Sequence, residues 1–238
     1  MNPLDWLARR PTQALSAAQQ QRCAQLPQPQ TLDATPLGAA RLVVVDLETS
    51  GLNVHRDRIL SVGAVVISDY CIDLGSQYEC TLYREDHKVT ESILIHGIAP
   101  SEIARGVDAV DALLDFMDFA GECVFVAFHA AFDQRMLLRG LRLDLGYKLR
   151  HKFIDAAELA PMLFPEANLP QGSLDDWQGY FQLRNSQRHN AAADALATAE
   201  IMLILMARAR SQGLLTLAEL KSRLSQWRRL RHARVGSF

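Results

Sequence analysis

Arg41-Leu-Val-Val-Val-Asp-Leu-Glu-Thr-Ser-Gly51 is the stretch from which the rest of the chain can be read. Its apolar residues occupy both alternation sets, Val43 and Val45 on one side and Leu42 and Val44 on the other. That pattern describes a central strand covered on both faces. Acids then enter on one set only. Asp46 and Glu48 stand at i and i+2, so both carboxylates leave the same face, roughly 6.5 Å apart along the strand. Two such groups at the mouth of an apolar strand repel each other and cost desolvation unless cations neutralise them. An all-oxygen donor set of this kind suits Mg²⁺ or Mn²⁺.

Outward from this strand the pattern is that of an α/β domain with a mixed sheet. Ile59 to Ile67 reads as a second strand and Tyr78 to Tyr83 as a third, close enough in sequence to be antiparallel neighbours. A short helix or turn is expected at 91–98. Val107, Val110, Leu113, Leu114 and Met117 form an apolar helical stripe. Cys123 to Phe128 reads as a buried strand, Ala131 to Leu141 as a helix, and 156–163 and 174–181 as helical pieces. Ala191 to about Arg210 is the longest helix, and Leu217 to about Arg231 the last. Before the first strand, residues 1–40 read as an accessory extension with one or two short helices around Leu4, Trp6, Leu7 and Leu15. The Gln-, Pro- and Thr-rich run from Gln19 to Pro36 breaks periodicity and reads either as a linker or, in the favoured reading, as a partly ordered extension packing on the domain. The expected division is an extension at 1–40, a domain at 41–210 and a basic helix at 211–238.

The bulk numbers narrow the class. The 238 residues are 49% hydrophobic and 22% charged, ordinary for a globular protein with a sizeable core. A formal net charge of −2 gives no whole-chain basic field, so a nucleic-acid partner would need a local patch. The four cysteines, Cys23, Cys71, Cys80 and Cys123, include no Cys-x-x-Cys pair and read as free thiols. The opening residues lack the basic start and apolar core of a signal peptide, and the apolar run Ile201 to Ala207 is too short to span a bilayer. The expectation is a cytoplasmic protein.

Further polar residues stand at element boundaries. Phe128-His-Ala-Ala-Phe-Asp133 places Asp133 in the first turn of a helix after a buried strand, where the helix N-terminus favours a carboxylate. His189-Asn-Ala-Ala-Ala-Asp194 opens the long helix, with Asn190 as N-cap, His189 just outside and Asp194 about one turn in. Asp-x-Glu on the first strand, Phe-Asp after a later buried strand and His-x-x-x-x-Asp at a C-terminal helix occur in that order. At these spacings they resemble the three motifs of the DnaQ-like 3′–5′ exonucleases, in the DEDDh branch that carries a catalytic histidine. The proofreading epsilon subunit of bacterial DNA polymerase III is similar in kind. The sister branch has Tyr four residues before the last Asp, a position held here by Asn190. Ile95-His-Gly-Ile98, Phe153-Ile-Asp-Ala-Ala-Glu-Leu-Ala160 and Leu174 to Phe181 resemble further family segments.

The resemblance implies a ribonuclease H-like fold, with three antiparallel strands followed by parallel ones and helices on both sides. It implies two divalent cations, Mg²⁺ or Mn²⁺, held by Asp46, Glu48, Asp133 and Asp194. Asp46 would bridge the ions, Glu48 and Asp194 would complete the first site, and Asp133 would serve the second. His189 would act as general base, which suits a side chain that accepts a proton near neutral pH. Thr49 and His96 resemble substrate-contacting positions, although a turn former and a helix cap explain them equally well. In the second motif many relatives have Asn where this chain has His129, which makes His129 a candidate substrate contact. The implied partners are single-stranded 3′ ends of DNA or RNA and a polymerase or other protein, with no membrane. A non-catalytic interaction subunit and an RNA-trimming exoribonuclease are the alternatives. The C-terminal residues Lys221, Arg223, Arg228, Arg229, Arg231 and Arg234 follow the last acid, Glu219, and read equally as a phosphate-tracking end or as a solvated helix face with a frayed end.

Overall fold

A computed structural model describes residues 14–85, 97–184 and 188–235, without side chains at 234 and 235. Five strands form one sheet in the order β3-β2-β1-β4-β5: β1 Leu42–Thr49, β2 Ile59–Ser68, β3 Cys71–Thr81, β4 Val124–Ala127 and β5 Phe153–Asp155. β1, β2 and β3 are antiparallel neighbours, while β4 runs parallel to β1 and β5 parallel to β4. This is the mixed α/β sheet expected from the sequence, with β1 at its centre.

The two alternation sets of β1 feed two separate cores. Val43 and Val45 pack with α3 (Ala109–Ala120) and α4 (Ala131–Leu145) on one face. Leu42 and Val44 pack with α5 (Ala156–Leu163), α6 (Leu174–Phe181), α7 (Ala191–Ser211) and α8 (Leu217–Val235) on the other. A short α2 (Pro100–Ala104) precedes α3. Burying apolar surface on both sides of one strand is what makes β1 a rigid platform for any polar group at its end.

The run from Gln19 to Pro36 is in part an ordered extension packed on the domain, the favoured of its two readings. It contains most of α1 (Ala17–Gln25). Ser16 and Gln19 form a reciprocal capping box that starts the helix ahead of Pro27, the first proline of this run. Gln19 Nε2 donates to Asp111 Oδ1 at 2.8 Å, Arg22 pairs with Asp115 and Asp118, and Leu26 is buried in the core, so the segment lies against α3. β3 also begins earlier than expected, at Cys71. The helix or turn expected at 91–98 and the candidate His96 lie outside the described residues, apart from 97 and 98. Among the described residues no helix is long and apolar enough to cross a membrane.

Candidate metal centre

The site is built where β1 runs out from under its helices. Asp46 and Glu48 belong to the alternation set of Leu42 and Val44, and so face α7. The register pairs Asp46 with Gly63 of β2, and Gly63 with Glu79 of β3, which puts all three on one row of that face. Gly63 is the gap in the row. A Cβ there would lie 2.1 Å from the backbone carbonyl carbon of Ala191 and 2.2 Å from the Ala192 nitrogen. The bare backbone therefore admits the first turn of α7 directly onto the sheet. Glu79 anchors it, accepting a hydrogen bond from Asn190 Nδ2 at 3.1 Å, while Asn190 Oδ1 caps the helix by accepting from Ala193 N at 2.9 Å. Asp194, one turn in and buried, is thereby aimed at the end of β1.

Carboxylate oxygens of Asp46, Glu48 and Asp194 lie within 4.8 Å of one another. Burial raises the Asp46 pKa well above the usual carboxylate range, and the charges of Asp133, Glu48 and Asp194 raise it further. Burial, with Asp194 alongside, pushes Glu48 up to about 7. Asp133 comes from the opposite side, in the first turn of α4 after β4, and is not in the three-carboxylate group. Burial, with Asp155 and Glu48 nearby, pushes it up to about 8 against hydrogen bonds from the backbone at Asp133 and Leu47. The chain thus holds four acids whose charges disfavour one another, a donor set that fits divalent cations.

The histidines are placed less directly. His189 is exposed, with φ at +64°, and its backbone N–H donates to Asp194 Oδ2 at 3.0 Å. Its position beside Asp194 is fixed through the main chain. His129 is also exposed, with φ at +62°. Its N–H donates to Asp155 Oδ1 at 3.1 Å and its ring meets Phe128 edge-on at 5.0 Å. Thr49 is buried just past a register shift in β1 and donates from Oγ1 to Gly51 O at 2.9 Å, the turn-forming role.

Two further contributors are not among the candidate site residues, although Asp155 lies in a segment that resembles the family. Asp155, at the end of β5, caps α5 through Ala157 N at 3.0 Å, holds the His129 N–H and raises the Asp133 pKa. Arg188 pairs with Asp194 at one end and with Asp175 of α6 at the other, and it opposes the rise in the Asp46 and Glu48 pKa values. Its guanidinium competes with a cation for Asp194. Arg188→Ala is expected to tighten Mn²⁺ binding a few-fold, the scale of an ion pair worth ~1 kcal/mol, and to lower the metal-free melting temperature. Titration calorimetry and thermal melts in chelator check this, and unchanged Mn²⁺ affinity refutes it.

Comparison with known proteins follows the same span. The family model described as Exonuclease, RNase_T, matches residues 43–202. The DNA polymerase III PolC-type protein of Clostridium perfringens is 32% identical over 162 residues, covering 67% of this chain and 11% of that protein. A DNA polymerase III subunit epsilon-like protein of Rhodobacter capsulatus is 29% identical over 184 residues, covering 76% of this chain and 26% of that one. The chain therefore spans well under a third of the length of these curated relatives. E. coli exonuclease I in complex with a dT13 oligonucleotide has the same fold, with a TM-score of 0.60 at 17% identity over 73% of this chain and 42% of that one. Cell-death related nuclease 4 matches with a TM-score of 0.62 at 14% identity, covering 75% of this chain and 67% of its own.

Proposed function

Because the chain belongs to the exonuclease family, as one of its DnaQ-like members with a ribonuclease H-like fold, we propose that it is a two-metal 3′–5′ exonuclease of the DEDDh type. It hydrolyses phosphodiester bonds at single-stranded 3′ ends of DNA or RNA and releases nucleoside 5′-monophosphates. The observation that carries this reading is the convergence of Asp46, Glu48 and Asp194 from two elements distant in sequence, with Asp133 arriving from a third. Asp46, Glu48 and Asp194 would hold one Mg²⁺ or Mn²⁺, and Asp133 together with Asp46 the second. When bound, the cations supply positive charge to the scissile phosphate and the leaving 3′ oxygen and make the attacking water more acidic.

The remaining work falls to the chain's own groups. His189 takes the proton of the attacking water, its main chain tied to Asp194 by the N–H bond. The buried floor of Val44, Val126 and Ala197 keeps bulk water from the underside of the acids. His129, exposed beside Asp155, would contact the substrate, His96 is retained as a second contact, and Thr49 would act there only if its hydroxyl leaves Gly51 O. The match to polymerase III-type proteins supports a polymerase as protein partner.

A 5′-labelled single-stranded oligonucleotide in Mn²⁺ should yield a ladder shortening from the 3′ end, and parallel ends with 2′-OH and 2′-H divide RNA from DNA as substrate. His189→Ala should slow the ladder by roughly 10²–10⁴-fold, the general-base scale. A wild-type protein that makes no ladder in Mn²⁺ or Mg²⁺ would overturn the assignment.

A further inference from the structure

Resting on that reading, we propose that the C-terminal turns of α8 form a phosphate-binding arm that engages the nucleic-acid strand whose 3′ end lies in the carboxylate pocket. The helix has two distinct parts. From its start it is held to the core by a stripe of Leu217, Leu220, Leu224 and Trp227. The stripe stops there, and every side chain from Arg228 to Ala233 is exposed. The described side chains after Trp227 have no core to cover.

The direction of the helix brings this free part to the pocket's end of the molecule. α8 begins beside the entry to β1, at the end of the sheet remote from the acids: Leu217 N donates to Thr35 O at 3.1 Å, and Thr216 bridges to Pro36. Eleven residues later Arg228 pairs with Glu158. Glu158 is in the first turn of α5, which starts at the end of β5 and is capped by Asp155, the residue that also holds the His129 main chain. At about 1.5 Å per residue, the segment after Arg228 extends roughly 10 Å beyond that level.

Its charge selects the occupant. No acid follows Glu219 in the sequence. Among the described residues Arg228 has an acidic partner, whereas Lys221, Arg223, Arg229 and Arg231 make no ion pair, and Arg231 lies 5.1 Å over the Trp227 ring. Among the described side chains of these turns Leu230 is the one large apolar residue exposed, too little for an apolar partner. A single strand leaving the pocket carries one charge per nucleotide and releases counterions when cations meet it, whatever its sequence.

The test is the salt dependence of binding of a fluorescent oligothymidylate of roughly 20 nucleotides, followed by anisotropy in Ca²⁺ with KCl from about 50 to 300 mM. Arg229→Ala with Arg231→Ala should lower affinity on the order of tenfold and reduce the log–log salt slope by about 1.4, that is, by about 0.7 for each phosphate no longer neutralised. The charge-keeping pair Arg229→Lys with Arg231→Lys should retain the slope, which separates charge from loss of helix. An unchanged slope and affinity in the alanine pair overturns the arm. So does a loss confined to binding of phosphatidylglycerol vesicles. The Mn²⁺ ladder of the wild type tests the pocket separately: a ladder with an unchanged slope refutes the arm alone, and a changed slope without a ladder refutes the pocket alone.

Discussion

Asp46→Asn and Asp194→Ala are each expected to lower Mn²⁺-dependent hydrolysis on the order of 10³-fold or more, because each removes several kcal/mol of cation-mediated stabilisation. The same substitutions leave the fold intact, and Asp46→Asn should strengthen it in chelator. Asp46, Glu48 and Asp133 all have folded-state pKa values above their ordinary values, Glu48 at about 7 and Asp133 at about 8. The folded protein therefore binds more protons than the unfolded chain, and this set's contribution to stability falls as pH rises from about 4 through about 8. Removing the Asp46 charge relieves that loss. The gap in melting temperature between Asp46→Asn and wild type should widen from pH 5 to 8 in chelator, by roughly 2–4 °C for each kcal/mol of repulsion relieved. It should close when Mn²⁺ is added. Wild-type turnover in either variant, or a gap that narrows with pH, would contradict the shared-charge picture.

Gly63→Ala is expected to damage the site without touching an acid. The new methyl would meet backbone atoms at the start of α7 at 2.1–2.3 Å, and a helix end cannot yield as a flexible side chain can. Overpacking of this kind costs about 1–3 kcal/mol. The greater effect is on turnover, since a shift of α7 carries Asp194 and the His189 main chain with it, and a displacement of about 1 Å at a reacting centre can cost on the order of 10²-fold. Gly179, in α6 with nothing within 4 Å of its would-be Cβ, is the control. Gly179→Ala should be neutral or stabilising by up to about 1 kcal/mol. Equal activity for the two alanine variants would show that the close approach is without consequence.

The sequence is readable where its periodicity is strong. β1 is legible because its apolar residues fill both alternation sets, and acids at i and i+2 have to share a face. α7 is legible through its Asn190 cap, which puts Asp194 one turn in. Half of β3 escapes because its first residues, Cys71-Ile-Asp-Leu-Gly-Ser76, lie on an exposed sheet edge beyond a register shift opposite Val65 and Val66, with little to bury. β5 has three residues, too few to show a period. α1 hides within a linker-like run because glutamine and alanine carry no apolar stripe, although its capping box marks the start. In the site, the separation of Asp133 from the other acids depends on α4 packing against the opposite face, which no local pattern encodes. Arg188 has no local signal at all, since its meaning comes from Asp175 on another helix.

The row of Asp46, Gly63 and Glu79 places an acid, a gap and an anchor on three successive strands, side by side through hydrogen-bonded pairing. The alignment of α7 over the acids is consequently a property of strand register. The loop at 50–58 can lengthen or shorten freely so long as Ile59 still begins opposite Thr49. A slip of one residue in β2 would turn Val62 or Ala64 toward the helix and swing the gap to the far side of the sheet. Insertions in this chain should therefore be tolerated at the hairpin and rejected within the strands, a pattern that a library of single-residue insertions scored by nuclease activity would trace along the backbone.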